Sequence, residues 1–186
     1  VFAGGFLGLD NIGAFDRSAE LPTGGRMDQA DGTAWMAFYC LCMLDIALIL
    51  AEYDQMYEET AARFLEQFAW ITYAMDRIGV NHDEMWDTAD GFFYDLLHLP
   101  NGDTMRLKMR SMVGLLPLCA AAVFERDAVE HHPRFLELME LFRKRHPEIV
   151  KKITTADDPT IGGYEGRRLA SVCNKEKLQR ILAYML

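Results

Sequence analysis

The sequence predicts an all-α fold, built from antiparallel helix pairs and interrupted by one small β-hairpin. Three observations carry that expectation. From Trp35 to Ala51 only Asp45 is charged, the pattern of a core helix. In the following stretch Ala61, Phe64, Phe68, Ile71 and Met75 recur at spacings of three and four, one apolar stripe of an amphipathic helix. Later, Asn101-Gly102 separates two strand-like runs, the signal of a tight hairpin turn.

Residues 1–32 carry many glycines with Asp10, Asn11, Asp16, Arg17 and Pro22, and read as an irregular loop region. Loops this long inside compact domains are uncommon and often functional. Phe2, Phe6, Leu7, Leu9, Ile12 and Phe15 make it too apolar for a solvated tail. Residues 33–79 read as a helix pair. Asp31 or Thr33 can cap the first helix, whose uniformly apolar surface implies burial on all sides. The polar segment Gly24–Gly32 would then be pinned at the mouth of a core helix, a rigid place to build a site. The apolar run falls short of the roughly 20 residues of a membrane span, and Asp45 interrupts it, so no membrane is expected. Asp54 caps the second helix, Glu58 and Glu59 suit its positive N-terminal end, and Gly79 ends it.

Residues 80–110 break the helical period and read as loop and hairpin, with strands over Phe92–Leu97 and Thr104–Met109. Aromatic and charged groups concentrate there: Trp86, Asp87, Asp90, Tyr94, Asp95, Arg106, Lys108 and Arg110. Residues 111–186 read as further helices. One starts at Ser111 and runs through Phe124, with Pro117 either kinking it or marking a later start. Another spans Pro133–Arg145 and stops at His146-Pro147. After a loop over Asp157–Gly166, Asn174 caps a last helix over Lys175–Leu186.

Length and composition narrow the function. At 186 residues and 51% hydrophobic, the chain is one domain or a piece of one. A net charge of −9, from 28 acidic and 19 basic residues, argues against a nucleic-acid partner, because phosphate backbones need a basic face. Cys40, Cys42, Cys119 and Cys173 lack zinc-ligand spacing and read as reduced thiols of a cytoplasmic protein. The opening VFAGGFLGL has no basic region of a signal peptide. The first residue is Val1, and Leu186 falls inside a helical pattern, so the chain reads as a piece of a longer polypeptide. WDTADGFFYD lacks the acid spacing of a calcium loop, and the adjacent His131 and His132 do not face one site. No phosphate-loop, dinucleotide or Gly-x-Ser-x-Gly motif occurs. The expectation is therefore no metal and no cofactor.

What remains is a set of carboxylates among aromatics: Asp10, Asp16, Asp28, Asp31, Asp87, Asp90 and Asp95. Such sets suit sugars, since aromatic faces cover the C–H surface of the ring while acids bind hydroxyls. Glycosidic cleavage uses one carboxyl to protonate the leaving oxygen and a second to activate water or attack the sugar. Solvated acidic loops are the plain alternative.

The segments GFLGLDNIGAFDRS, GGRMDQADGTAWMAFYCLCML, DGFFYDLLHLPNG and LKMRSMVGLLPL, in that order, resemble bacterial members of glycoside hydrolase family 63. That family takes in processing α-glucosidases and mannosylglycerate hydrolases. The resemblance implies a partial (α/α)6 toroid, an inner ring of helices inside an outer ring, and an inverting mechanism on α-glucosidic or related α-glycosidic bonds. It implies Asp10, the first Asp of Gly8-Leu9-Asp10-Asn11, as the general acid, with Asp16 the local competitor. Asp16 and Arg17 from the same motif, Asp28 and Gln29, Trp35, and the pair Tyr94 and Asp95 become candidates for binding an oligosaccharide or small glycoside. The family's base Glu follows a Trp-Arg-Gly-Pro segment that this chain does not contain. By that resemblance residues 1–186 supply the acid without the base, are inactive alone, and expose faces meant for the missing helices of a parent chain. Such faces would promote homo-oligomers. The alternative is a non-catalytic helical scaffold that binds a carbohydrate or protein partner.

Overall fold

The computed structural model describes residues 15–17, 19–22, 24–76, 84–153 and 163–186, with backbone alone for 151–153. Asp10 and its Gly8–Asn11 motif lie outside the described residues. In chain order the elements are β1 (Arg26–Asp28), α1 (Ala30–Ala51), α2 (Tyr57–Asp76), β2 (Trp86–Asp87), β3 (Phe92–Phe93), β4 (Asp95–His98), β5 (Thr104–Leu107), β6 (Ala121–Phe124), α3 (Arg126–Glu130), α4 (Pro133–Arg145), α5 (Pro147–Ile153), β7 (Arg168–Ser171) and α6 (Lys175–Leu182).

The all-α expectation is overturned, and the partial (α/α)6 toroid with it. Among the described residues the strands form three small sheets, ordered β1-β4-β5, β2-β3 and β6-β7, so the fold mixes α and β. The helix expected over residues 111–124 is replaced by two 3₁₀ turns, Met112–Gly114 and Leu116–Cys119, followed by β6. Ser111 does start the first turn, its Oγ accepting from the Val113 N–H at 3.3 Å. Pro117, in the second turn, has no N–H to extend an α-helical ladder. Residues Ala121–Phe124 become a strand because Arg168–Ser171 pairs with them, Ala121 opposite Ser171 and Phe124 opposite Arg168. That partner lies beyond three intervening helices, where no local pattern reveals it.

The chain divides into two compact units. Unit 1 comprises Val1–Met36, Ala74–Cys119 and Lys175–Leu186; unit 2 comprises Ala37–Tyr73 and Ala120–Asn174. In unit 1 the expected hairpin forms, with Asp95 opposite Leu107 and His98 opposite Thr104. It is not a lone insertion. β1 adds to its other edge, Met27 opposite Leu97. Gly25 permits that close approach: at φ +109° it lets the chain pass the His98 carbonyl, which an added Cβ would meet at 2.1 Å.

In unit 2 Ala69 of α2, Phe142 of α4 and Ile149 of α5 form a buried cluster, flanked by Tyr73 and Val150. Glu58, in the first turn of α2, is buried, and its Oε2 accepts from the Phe135 N–H at 2.9 Å. This satisfies one of the donors left open at the start of α4. α1 is not buried on all sides, contrary to expectation. Cys40, Leu41, Leu44, Ala47, Leu48 and Ala51 are buried, while Tyr39, Ile46, Ile49 and Leu50 are exposed. Its start at Ala30 also makes the helix longer than the sequence suggested. At 22 residues, with a mean hydropathy of 2.1 over its most apolar 18 residues, it is long and apolar enough to cross a membrane by length and composition, and 44% of that window is buried.

Candidate functional site

The site in unit 1 is built on the sheet β1-β4-β5. Side chains alternate across a strand, so Met27, Asp95 and Leu107 share one face of it. Together with Phe15, Arg17, Phe93, Tyr94 and Ser111 they line a narrow cleft with a cavity volume of about 20 Å³.

Asp95 does more than line it. Its Oδ1 accepts from the Ala30 N–H at 2.8 Å, so a carboxylate from β4 caps α1. The expected caps do otherwise. The Asp31 Oδ1 accepts from the Gly32 N–H at 2.7 Å, and the Thr33 hydroxyl donates to the Gln29 carbonyl at 2.6 Å. The other Asp95 oxygen lies 3.3 Å from the Arg17 Nε. Arg17 also pairs through both terminal nitrogens with the fully buried Asp31, the Nη1 at 2.9 Å. One buried cation thus sits between two buried carboxylates at the positive end of a long helix. Burial lifts the Asp95 carboxyl from the ordinary 3.8 to about 6, against the Ala30 N–H and the Arg17 charge and with a further push from Asp31.

Tyr94 is buried, and its hydroxyl donates to Asp90 at 3.1 Å. Burial raises its pKa, against the pull of Arg110 and with a push from Asp90. Behind it Lys108 reaches Asp87 at 2.8 Å and Asp90 at 3.2 Å. Burial pushes Asp87 up, but the Lys108 and Asp90 N–H hydrogen bonds and the charges of Lys108 and Arg106 outweigh it, leaving the carboxyl below its ordinary value.

Of the residues expected to bind substrate, Arg17, Tyr94 and Asp95 come together in this cleft. Asp28, Gln29 and Trp35 do not line it. Asp28 follows Met27 and so falls on the opposite face of the sheet, where its carboxylate holds the His98 Nε2 at 2.8 Å. The His98 Nδ1 in turn meets the Thr104 hydroxyl at 3.0 Å. Gln29 is buried, whereas Trp35 and Asp16 are exposed. Sequence reasoning missed Phe15, Met27, Phe93, Leu107 and Ser111 as lining residues. The alternation of β1 and β4 would have pointed to Met27, had β1 been recognised as a strand. Among the described residues no group of three His, Cys, Asp or Glu side chains could hold a metal ion.

No protein-family model matches the chain, and no solved structure matches it. Among curated proteins it is similar to the uncharacterized protein YMR196W of Saccharomyces cerevisiae, 41% identical over 199 aligned positions. The similarity covers 100% of this chain and 18% of the yeast protein, so the chain spans less than a fifth of that relative's length.

Proposed function

We propose that the chain forms part of the substrate cleft of an inverting glycoside hydrolase acting on α-glucosidic or related α-glycosidic bonds. The observation that carries this reading is the meeting of Arg17 and Asp95 in a cleft walled by Phe15, Phe93 and Tyr94. Phe15 and Arg17 belong to the same GFLGLDNIGAFDRS segment as Asp10, the general acid that the family resemblance implies. In this reading Asp10 protonates the glycosidic oxygen as the bond breaks, and the aromatic rings cover the sugar's C–H face. Asp95, with its pKa near 6, changes protonation close to neutrality, so it can accept from or donate to a sugar hydroxyl. Arg17 supplies fixed donors beside it. The base that activates water comes from another part of a longer polypeptide.

The test is hydrolysis of a panel of α-glucosides and α-mannosides by the longest natural polypeptide that carries this chain. Asp10→Asn should lower kcat by about 10³-fold, in the range of a lost general acid, with folding intact. Asp95→Asn should act mainly on KM. Activity that survives Asp10→Asn unchanged removes Asp10 from the mechanism, and no hydrolysis of any member counts against the whole reading.

A second reading, a non-catalytic module that binds a protein or carbohydrate partner, is favoured by the apolar residues that α1 leaves exposed. It expects binding without turnover in the same assay.

A further inference from the structure

We propose that a groove between α2 and α4 in unit 2 is a binding site for a neutral pyranose ring, separate from the cleft that contains Asp95. Residues Glu66 and Trp70 line it from α2; Leu138, Leu141, Phe142 and Arg145 line it from α4. The first pair is spaced by four and the second set by three, four and seven, so each set lies on a single helix face. The cavity volume is about 140 Å³.

The floor is aromatic and held in place. The His146 ring, which also lines the groove, stands 5.1 Å from Trp70 and 5.0 Å from Phe142, centroid to centroid. Its backbone N–H donates to the Phe142 carbonyl at 2.9 Å, which anchors it at the end of α4. Phe142 is part of the buried cluster, whereas Trp70 keeps 46% of its surface exposed.

The charges at the groove decide the ligand class. Glu66 stands on one wall and Arg145 on the other. A lone cation is drawn by Glu66 but repelled by Arg145, and a lone anion the reverse, so neither gains from both walls. A neutral ring with hydroxyls at its edge fits both: the hydroxyls donate to Glu66 and accept from Arg145, while the C–H face lies on the indole.

The test follows tryptophan fluorescence of the chain as maltotriose or mannotriose is added, with tetramethylammonium chloride as a cation probe. A saturable change with one trisaccharide is expected. Trp70→Ala should weaken it at least about tenfold, with circular dichroism unchanged, and Trp70→Phe less. Arg126→Ala should leave it intact, because Arg126 lines neither the groove nor the cleft. Three results overturn the proposal: no saturable change with either sugar, equal affinity in folded Trp70→Ala, or saturation by tetramethylammonium alone. If Asp95→Asn abolishes binding while Trp70→Ala does not, the sugar sits in the unit 1 cleft. The groove proposal then falls and the glycosidase reading stands.

Discussion

Asp95 and Glu58 do the same structural job in different units. Each is a buried carboxylate that reaches across a long sequence separation to accept a backbone N–H at the start of a helix, Ala30 for Asp95 and Phe135 for Glu58. The difference is in what else each one meets. Asp95 opens onto a cleft beside Arg17, within the influence of a second buried carboxylate, and burial pushes its pKa up to about 6. Glu58 lines neither that cleft nor the groove beside Trp70. Capping explains why a carboxylate stands at both places. It does not explain why one of them is given a cleft, a guanidinium and aromatic walls, and that surplus is why Asp95, rather than Glu58, is the candidate.

The comparison can be broken most severely at Arg17. Arg17→Met leaves Asp31 buried without its cation, and removing one partner of a buried pair costs about 3–5 kcal/mol. Urea denaturation measures it. A loss below about 1 kcal/mol is the behaviour of an exposed ion pair and would take apart the charged centre described for unit 1.

Next in size is the pH dependence of Asp95. Its folded pKa lies above the ordinary value, so the folded state binds the proton more tightly than the unfolded chain. The stability it contributes is complete below about pH 4 and is lost as pH rises through about 6. A rise from 3.8 to about 6 corresponds to about 3 kcal/mol at most. Denaturation midpoints across this window, wild type minus Asp95→Asn, should show the fall in wild type alone. Asp87 acts with the opposite sign: its lowered pKa stabilises above the ordinary carboxylate range, and that contribution is lost as pH drops through the depressed value. A flat difference curve for Asp95→Asn would mean that its carboxyl titrates normally.

The smallest effect sharpens the comparison. Glu58→Gln keeps an acceptor for the Phe135 N–H but loses the charge, and should cost about 1 kcal/mol at pH 7. Asp95→Asn keeps an acceptor for the Ala30 N–H and removes a charge that burial disfavours. It should cost nothing at pH 7 or stabilise. Equal losses in the two variants would mean that both carboxylates are caps and nothing more.

Local chemistry made part of this molecule readable in advance. Asn101-Gly102 announced the hairpin, although the strands close over the five residues Leu99–Asp103 rather than a two-residue turn, and of the pair only Gly102 takes a positive φ. The bounds of α4 at Pro133 and Arg145 followed from its apolar period and from the His146-Pro147 break, although Pro147 then opens α5, a position where its missing N–H costs nothing. Arg17, Tyr94 and Asp95 were legible as site candidates from their motifs. Their meeting was not, because residues far apart in the chain converge only through the pairing of β1 with β4.

α1 is the clearest boundary between the two kinds of information. Its apolar sequence determined that residues 35–51 lie in a long helix, but with hydrophobic side chains on every face the pattern held no preference for which face would be buried. Tertiary packing chose the Leu41, Leu44 and Leu48 side and left Tyr39, Ile46 and Ile49 exposed. The same holds for Ala121–Phe124, where a stretch of small and apolar residues suits helix or strand alike until Arg168–Ser171 arrives to fill its hydrogen bonds. The sequence by itself determined turns, breaks and the existence of helices, since these depend on a few neighbouring residues. Only the tertiary structure decided strand partners, buried faces and the cap that Asp95 places on α1, since each depends on a group supplied from a distant part of the chain.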